Sequence, residues 1–215
     1  MQEELVETTV YSVSAAAPPR PERRKKERYF SLLRVGAILV EGRRELCLIR
    51  NISSGGMMIR AFSQIAVATP LSIELKQGHP INGTVEWLKN DLIGVSFDAP
   101  IDVLGLLTAP GDGPRPRLPR IEIDCGAWAR QGAQVIRTRA VNVSQGGVRI
   151  ESAAALEVGG AVVVTLPGLT PAAGVVKWKE GDAYGIAFNR PLVLSELVEW
   201  LKEQQQLEQR RSVAA

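Results

Sequence analysis

Short apolar runs separated by turn residues dominate the chain from residue 34 onward. Runs rich in Val, Ile and Leu cover 35–40, 46–50, 57–62, 71–76, 81–88 and 92–97. Six short strands at this spacing predict an antiparallel β-barrel or sandwich, so the fold class is expected to be mainly β. Residues 1–19 have no sustained period and are predicted to be a disordered N-terminal segment.

The same pattern occurs twice. The segment 51–56, Asn-Ile-Ser-Ser-Gly-Gly, recurs 91 positions later as Asn-Val-Ser-Gln-Gly-Gly at 142–147. At the same ungapped offset Trp87 coincides with Trp178, and Phe97 with Phe188. Coincidence of rare residues at one offset indicates a tandem duplication. The expected organisation is a first domain at 20–108, a Pro/Gly-rich linker at 109–119 and a second domain at 120–211.

A helical period follows each run of strands. Apolar residues at 194, 197, 198, 201 and 207 predict a C-terminal amphipathic helix, with Ser195 as the N-cap candidate. The apolar stripe would pack on its own barrel or on a partner, and a homodimer through the second domain or this helix is left open. The first domain has a shorter equivalent near 101–107, which Pro110 ends.

Charge changes this picture at one place only. Hydrophobic residues make up 45% of the chain and the net charge is +3, as in many globular proteins. The segment 20–28, however, has six basic residues and two acidic ones. Such a run suits an anionic partner, although a solvated, flexible arm would look the same in the sequence.

Several classes of function have little support. Cys47 and Cys125 lie in separate halves and form no metal or redox motif, and His79 is the only histidine. We therefore expect no metal site, no cofactor and no enzymatic activity. No apolar stretch approaches the roughly 20 residues that span a bilayer, and no signal peptide is visible, so we expect a cytoplasmic protein without membrane insertion. Trp87 and Trp178 are interpreted as core packing.

The repeated turn has two interpretations. Side-chain oxygens of Asn51 and Ser53 can bond nearby backbone, while Gly55 and Gly56 allow positive φ and the close approach of another molecule. The turn alone would account for these residue types. Where the side chains are missing, however, a planar or anionic ligand could lie against the backbone. Arg24 and Arg28, four residues apart before the first strand, could grasp guanine edges and phosphates with their planar forks.

Together, RxxxR at Arg24–Arg28 and NxSxxG at Asn51, Ser53 and Gly56 resemble the PilZ domain, a bacterial receptor for cyclic di-GMP. The resemblance implies a six-stranded β-barrel with an N-terminal arginine segment that folds over the ligand. Arg24 and Arg28 would then grip guanine and phosphate, while Asn51, Ser53, Gly55 and Gly56 would seat the nucleotide. Arg23 directly precedes the motif, as in members that hold two intercalated ligands, so a stacked cyclic di-GMP dimer is expected.

The second copy departs from the family pattern. The position of Arg28 is taken by Pro119, and prolines interrupt the arginines at 115, 117 and 120, so RxxxR is absent. A weak second ligand site at Arg115, Asn142, Ser144 and Gly147 is retained as a candidate. We expect this copy to serve mainly as a structural or partner-binding domain.

The resemblance predicts a cyclic di-GMP receptor that works as a switch. Ligand would order the arginine arm, change the relation of the two barrels about the linker, and present a new surface to an unidentified protein effector. The main alternative is a PilZ-fold interaction module that binds no nucleotide. Sequence-independent nucleic-acid binding ranks third, because aromatic residues make up only 5% and none lies within the basic run.

Overall fold

The computed structural model describes residues 28–75, 80–108 and 118–213. The candidate site residues Arg23, Arg24 and Arg115 lie outside these ranges, as do His79, the predicted disordered segment and most of the predicted linker. The remaining candidate residues belong to two β-barrels, which confirms the predicted fold class.

The first barrel contains six antiparallel strands. It closes because β4 pairs with β1, which gives the strand order β1-β2-β3-β6-β5-β4. Apolar residues alternate with polar ones along most strands, so one side of each strand faces a common interior. The strands are β1 (Arg28–Val40), β2 (Arg43–Ser53), β3 (Gly56–Ala61), β4 (Pro70–Glu74), β5 (Pro80–Lys89) and β6 (Leu92–Phe97).

The second barrel repeats this topology. Its order β7-β8-β9-β12-β11-β10 is that of the first barrel, and β10 pairs with β7 to close it. Between them the two barrels account for the tandem duplication that the sequence predicts. The strands are β7 (Ile121–Gln131), β8 (Gln134–Ser144), β9 (Gly147–Glu151), β10 (Ala161–Thr165), β11 (Ala172–Glu180) and β12 (Ala183–Phe188).

Each barrel is filled by aliphatic side chains. The first interior includes Ile49, Ile59 and Ile93, and the second includes Ile150 and Ile186, all of them buried. Cys47 lies in the first interior as a free thiol, and burial raises its pKa to about 12. It is therefore a core residue and not a reactive one.

A helix follows each barrel, as predicted. The short helix is α1 (Val103–Thr108), and the C-terminal helix is α2 (Leu194–Val213). Because α2 begins at Leu194, Ser195 lies in its first turn, and the predicted N-cap position is wrong. Leu197, Val198 and Leu201 pack on the second barrel, so the apolar stripe belongs to its own barrel, and Leu207 at its end is exposed.

The paired tryptophans are not core residues, so that interpretation is wrong. Trp87 and Trp178 are both 39% exposed. Each ring lies on the outer wall of its barrel over a glycine of the neighbouring strand, Gly94 and Gly185 respectively. A β-carbon at either glycine would overlap the indole, which explains why Trp and Gly recur together at the offset of the duplication.

The two barrels contact each other through the outer side of β2. Leu46 is 3% exposed and packs with the core residues of the second barrel. Next to it, the guanidinium of Arg44 makes two 2.8 Å hydrogen bonds to the carboxylate of Glu74 and a 3.1 Å bond from Nε to the backbone carbonyl of Arg120. The contact combines apolar burial with a partly buried ion pair. Between β2 and α2 it leaves a cavity of about 370 Å³.

Candidate functional site

The NxSxxG turn of the first barrel is a tight hairpin between β2 and β3. Ser53 pairs with Gly56 across a two-residue loop. The Ser53 hydroxyl donates a 3.1 Å hydrogen bond to the carbonyl of Gly56, and the Phe97 amide donates to the carbonyl of Gly55 at 3.0 Å. These bonds hold the loop against the end of β6. The serine thus has a structural role in the turn whether or not a ligand is bound.

The structure gives a reason for glycine at position 56 that differs from both of those expected from the sequence. Among the described residues with positive φ, neither Gly55 nor Gly56 appears, so positive φ is not why these positions are glycine. A β-carbon on Gly56 would lie 2.5 Å from the carbonyl oxygen of Val95 on β6. Position 56 is glycine because the backbone of the neighbouring strand, β6, lies too close to leave room for a side chain.

Arg28 brings the two sequence motifs together. It is the first residue of β1, and its backbone pairs with Ser53 at the end of β2. The register of this pair shifts between Arg28 and Phe30, and again between Ser31 and Arg34. Such irregularities bend a strand. The last residue of RxxxR therefore lies beside the serine of NxSxxG, although Arg28 and Ser53 are 25 positions apart in the chain.

Asn51 is polar and half-buried. Among the side chains that the structure describes, which on β1 begin at Arg34, none makes a hydrogen bond to its carboxamide. Its neighbours in the sheet are Ser31 on β1 and Met58 on β3, and the thioether of Met58 offers no strong hydrogen-bonding group. No described side chain therefore occupies the donors or the acceptor of the Asn51 carboxamide.

The second copy of the turn keeps the same backbone. Ser144 pairs with Gly147, and its hydroxyl donates to the carbonyl of Gly147 at 3.3 Å. A β-carbon on Gly147 would lie 2.3 Å from the carbonyl oxygen of Ile186. The Phe188 amide donates to the carbonyl of Gly146 at 3.0 Å, as Phe97 does in the first copy. Serine and glycine are thus kept by the same packing in both barrels.

The second copy differs at its asparagine. Nη1 of Arg120 donates a 2.6 Å hydrogen bond to Oδ1 of Asn142, so the chain itself supplies a cation to this motif. Arg149 pairs with Asn142 across the strands and stands where the first barrel has Met58. Its Nε is buried without a hydrogen-bond partner in the described part of the chain.

Arg120 and Arg149 are residues that the motif analysis missed. Arg120 was grouped with the proline-interrupted arginines and given no role. The sequence did contain a signal for Arg149, since the repeat offset aligns this residue with Met58. Its position beside Asn142, however, depends on strand register. Two arginines outside the RxxxR pattern, Arg120 and Arg149, therefore lie beside the turn of the second copy.

The described residues contain no group of three or more His, Cys, Asp and Glu side chains that could hold a metal ion. Neither of the two helices described is long and apolar enough to cross a membrane.

Comparison with known families agrees with the two-motif arrangement. The model of the PilZ domain matches twice, at residues 22–106 and 114–203. The chain belongs to the PilZ family. Both matches span a complete barrel, and the first includes the arginine segment as well as the NxSxxG turn. PilZ domains are cyclic di-GMP receptors, so the class of ligand expected from the resemblance is that of the family.

Several solved structures are similar to this chain over most of its length. Borreliella burgdorferi PlzA in complex with c-di-GMP is 12% identical, with a TM-score of 0.36, and the match covers 78% of this chain and 86% of that chain. The Bacillus subtilis inhibitor of motility MotI/DgrA is 11% identical, with a TM-score of 0.32 and coverage of 85% and 98%. Escherichia coli YcgR in complex with c-di-GMP is 15% identical, with a TM-score of 0.31 and coverage of 84% and 87%. These similarities do not extend to individual residues. No curated protein matches the chain.

Proposed function

We propose that this PilZ protein is a cyclic di-GMP receptor whose ligand site lies on the first barrel. The observation that carries the proposal is the backbone pairing of Arg28 with Ser53, two residues from Asn51, whose carboxamide has no hydrogen bond to any described side chain. Arg23, Arg24 and Arg28 would bind guanine edges and phosphates, because a guanidinium offers a planar set of donors to both. Asn51, Ser53, Gly55 and Gly56 would form the floor of the site.

The second copy is proposed to bind no nucleotide. Its asparagine already accepts a hydrogen bond from Arg120, and Arg120 is held by the first barrel through the Arg44 contact to its carbonyl. A ligand at Asn142 would have to displace this arginine. Asn142 would then serve to anchor Arg120 at the contact between the barrels, and the candidate second site at Arg115, Asn142, Ser144 and Gly147 would hold no ligand.

We further propose that ligand acts through the relation of the two barrels. The β2 strand that ends in Asn51 and Ser53 also contains Arg44 and Leu46, which contact the second barrel. An arm that closes over the site on the first barrel would contact β2, the strand that also contacts the second barrel. The proposed domains, 20–108 and 120–211, would then reorient about residues 109–119 and present an altered surface to a protein effector.

Titration calorimetry with cyclic di-GMP tests the ligand. Binding is expected for the full chain and for Arg115→Ala. It is expected to be lost in Arg24→Ala and to be strongly weakened in Arg28→Ala. A ratio of two ligands per chain that falls to zero in Arg24→Ala would support a stacked dimer on the first barrel, whereas a fall to one would indicate one ligand in each barrel. Absence of binding heat at micromolar protein would instead favour a PilZ-fold interaction module.

A further inference from the structure

The outer wall of β7 and β8 in the second barrel is open and cationic. We name it the second-barrel wall and define it by Trp128, Arg130, Val135 and Arg137. Trp128 is directly opposite Arg137, and Arg130 is directly opposite Val135. Trp128 is 44% exposed and Val135 61% exposed, and both arginines are exposed. A large aromatic ring, an aliphatic side chain and two guanidinium groups therefore share one accessible face.

The equivalent wall of the first barrel is already a protein interface. Its residues at the same register are Ala37, Leu39, Arg44 and Leu46, with Ala37 opposite Leu46 and Leu39 opposite Arg44. Ala37 and Leu46 are 1% and 3% exposed, although the alternation of β1 and β2 points them away from the barrel interior. Leu46 packs with the second barrel, and Arg44 reaches the carbonyl of Arg120. One face of this fold has thus become a docking surface within the chain.

Charge separates the two walls. In the first barrel, Glu74 on β4 pairs with Ala37 across the strands and neutralises Arg44. In the second barrel Thr165 takes this place opposite Trp128, so the neighbouring strand supplies no carboxylate. Arg139, farther along β8, is neutralised by Asp124 and Glu151. Within the described residues, Arg130 and Arg137 have no ion-pair partner.

We propose that the second-barrel wall is a docking surface for an acidic segment of a partner protein. Carboxylates of the partner would take the role that Glu74 has in the first barrel, and apolar side chains beside them would cover Trp128 and Val135. Tryptophan and arginine are the residue types that most often dominate binding energy at protein interfaces. Because the barrel is closed, it has no free strand edge here, and the partner would bind through side chains and not by strand addition.

A protein fits this surface better than a nucleic acid does. Single-stranded nucleic acid is bound by several aromatic rings along a basic groove, whereas this wall has one ring. Val135 adds an aliphatic contact that bases do not need. The second-barrel wall would be the surface that binds the protein effector of the proposed function, and the inference rests on that function to this extent.

Peptide selection on the whole chain tests the proposal. A display library of random peptides would be selected on the wild-type protein and counter-selected on the Arg130→Gln/Arg137→Gln variant. Enriched peptides are expected to contain paired carboxylates beside an apolar side chain. Selection of uncharged or basic peptides, or no enrichment, would overturn the proposal.

The affinity of the best peptide then locates its site. Trp128→Ala and Arg130→Gln/Arg137→Gln are each expected to weaken it at least about tenfold. Lys89→Gln/Lys177→Gln removes the same charge from other outer walls and should change it less than about twofold. A charge-swapped Arg130→Glu/Arg137→Glu protein should prefer the same peptide with its carboxylates replaced by lysine. Equal affinities across all variants would contradict the assignment.

Two further measurements distinguish other occupants and other failures. If oligothymidylate binds and depends on Trp128 while acidic peptides do not bind, the wall is a nucleic-acid site and the proposal is wrong. If sedimentation shows self-association that Trp128→Ala abolishes, the occupant is a second copy. The wall variants should bind cyclic di-GMP as tightly as the wild-type protein does. If the wild-type protein does not bind cyclic di-GMP, the proposed receptor function is refuted, but the peptide result still decides whether the wall is a docking surface.

Discussion

The two NxSxxG turns have the same backbone and opposite surroundings. Asn51 in the first barrel makes no hydrogen bond among the described residues, whereas Asn142 in the second accepts one from Arg120 at 2.6 Å. Ser53 and Ser144 each close the hairpin onto a glycine carbonyl in the same way. The comparison separates the motif into residues that build the turn and a residue whose availability differs between copies.

The outer walls of the two barrels also differ, but here the first barrel has the covered surface and the second barrel has the exposed one. In the first barrel the β1–β2 wall is covered by the second barrel, and its arginine is neutralised within the chain. In the second barrel the corresponding wall is exposed, with Trp128 and two arginines that form no ion pair with any described residue. The first barrel therefore combines an asparagine that no described side chain binds with a covered wall, and the second combines an asparagine bound by Arg120 with an exposed wall.

The largest expected effect concerns what the copies share. Gly56→Ala and Gly147→Ala should each destabilise the protein by about 2–3 kcal/mol, because the new β-carbon overlaps a backbone carbonyl of the adjacent strand. Denaturant unfolding measures both, with Gly126→Ala as control, since nothing lies within 4 Å of a β-carbon there. If only one barrel responded, the shared structural role of the glycine would be refuted.

The second prediction concerns the arginine that differs most between copies. Arg28→Ala should weaken cyclic di-GMP binding by about 2–3 kcal/mol, roughly 30- to 150-fold, because a charge-assisted contact is lost. Calorimetry is the measurement, and Arg120→Ala, at the second turn, is the matched control with an expected change below about twofold. A larger loss in Arg120→Ala than in Arg28→Ala would place the ligand on the second barrel.

The third prediction compares the two asparagines directly. Asn51→Ala should cost about 1.4 kcal/mol of binding free energy, or tenfold in affinity, as is typical for loss of one or two hydrogen bonds to a ligand. Asn142→Ala should leave affinity unchanged, since its oxygen is occupied by Arg120. Equal losses in both variants, measured by the same titration, would mean that both turns bind nucleotide.

The smallest effect concerns the joint between the barrels. The hydrogen bonds from Arg44 hold the pKa of the Glu74 carboxyl below its ordinary value of 4.5. Because the folded-state pKa is lowered, the ion pair stabilises the protein fully above pH 4.5, and this contribution is lost as the pH falls through the lowered value. Glu74→Gln should therefore cost about 1 kcal/mol at pH 7 and progressively less in acid.

Denaturant unfolding at pH 7 and at successively lower pH checks this joint. Arg60→Gln is the control, since it removes the exposed Arg60–Asp91 pair within one barrel without touching the second. We expect Arg60→Gln to change stability by less than about 0.5 kcal/mol. If the difference between Glu74→Gln and wild type did not shrink in acid, the Arg44–Glu74 pair would not be its source.

Much of the architecture could be predicted because it is written in local patterns. Alternating apolar residues predicted all six strands of the first barrel, and the offset of the duplication transferred them to the second. The helices were predicted from their period. The error at Ser195 arises because the pattern of apolar residues fixes the start of a helix only to within one or two residues. Trp87 and Trp178 were misassigned, since alternation along β5 or β11 does not reveal that a glycine on the next strand opens a place for the ring outside the barrel.

The sequence by itself determined the duplication, the β class and the set of residues from which a ligand site would be drawn. It could do so because side-chain periodicity and turn chemistry act over a few neighbouring positions. Only the tertiary structure decided which asparagine is free, since Arg120 meets Asn142 and Arg28 meets Ser53 through strand register. It likewise decided which outer wall is covered, because contact between two barrels depends on packing of surfaces that are far apart in the chain.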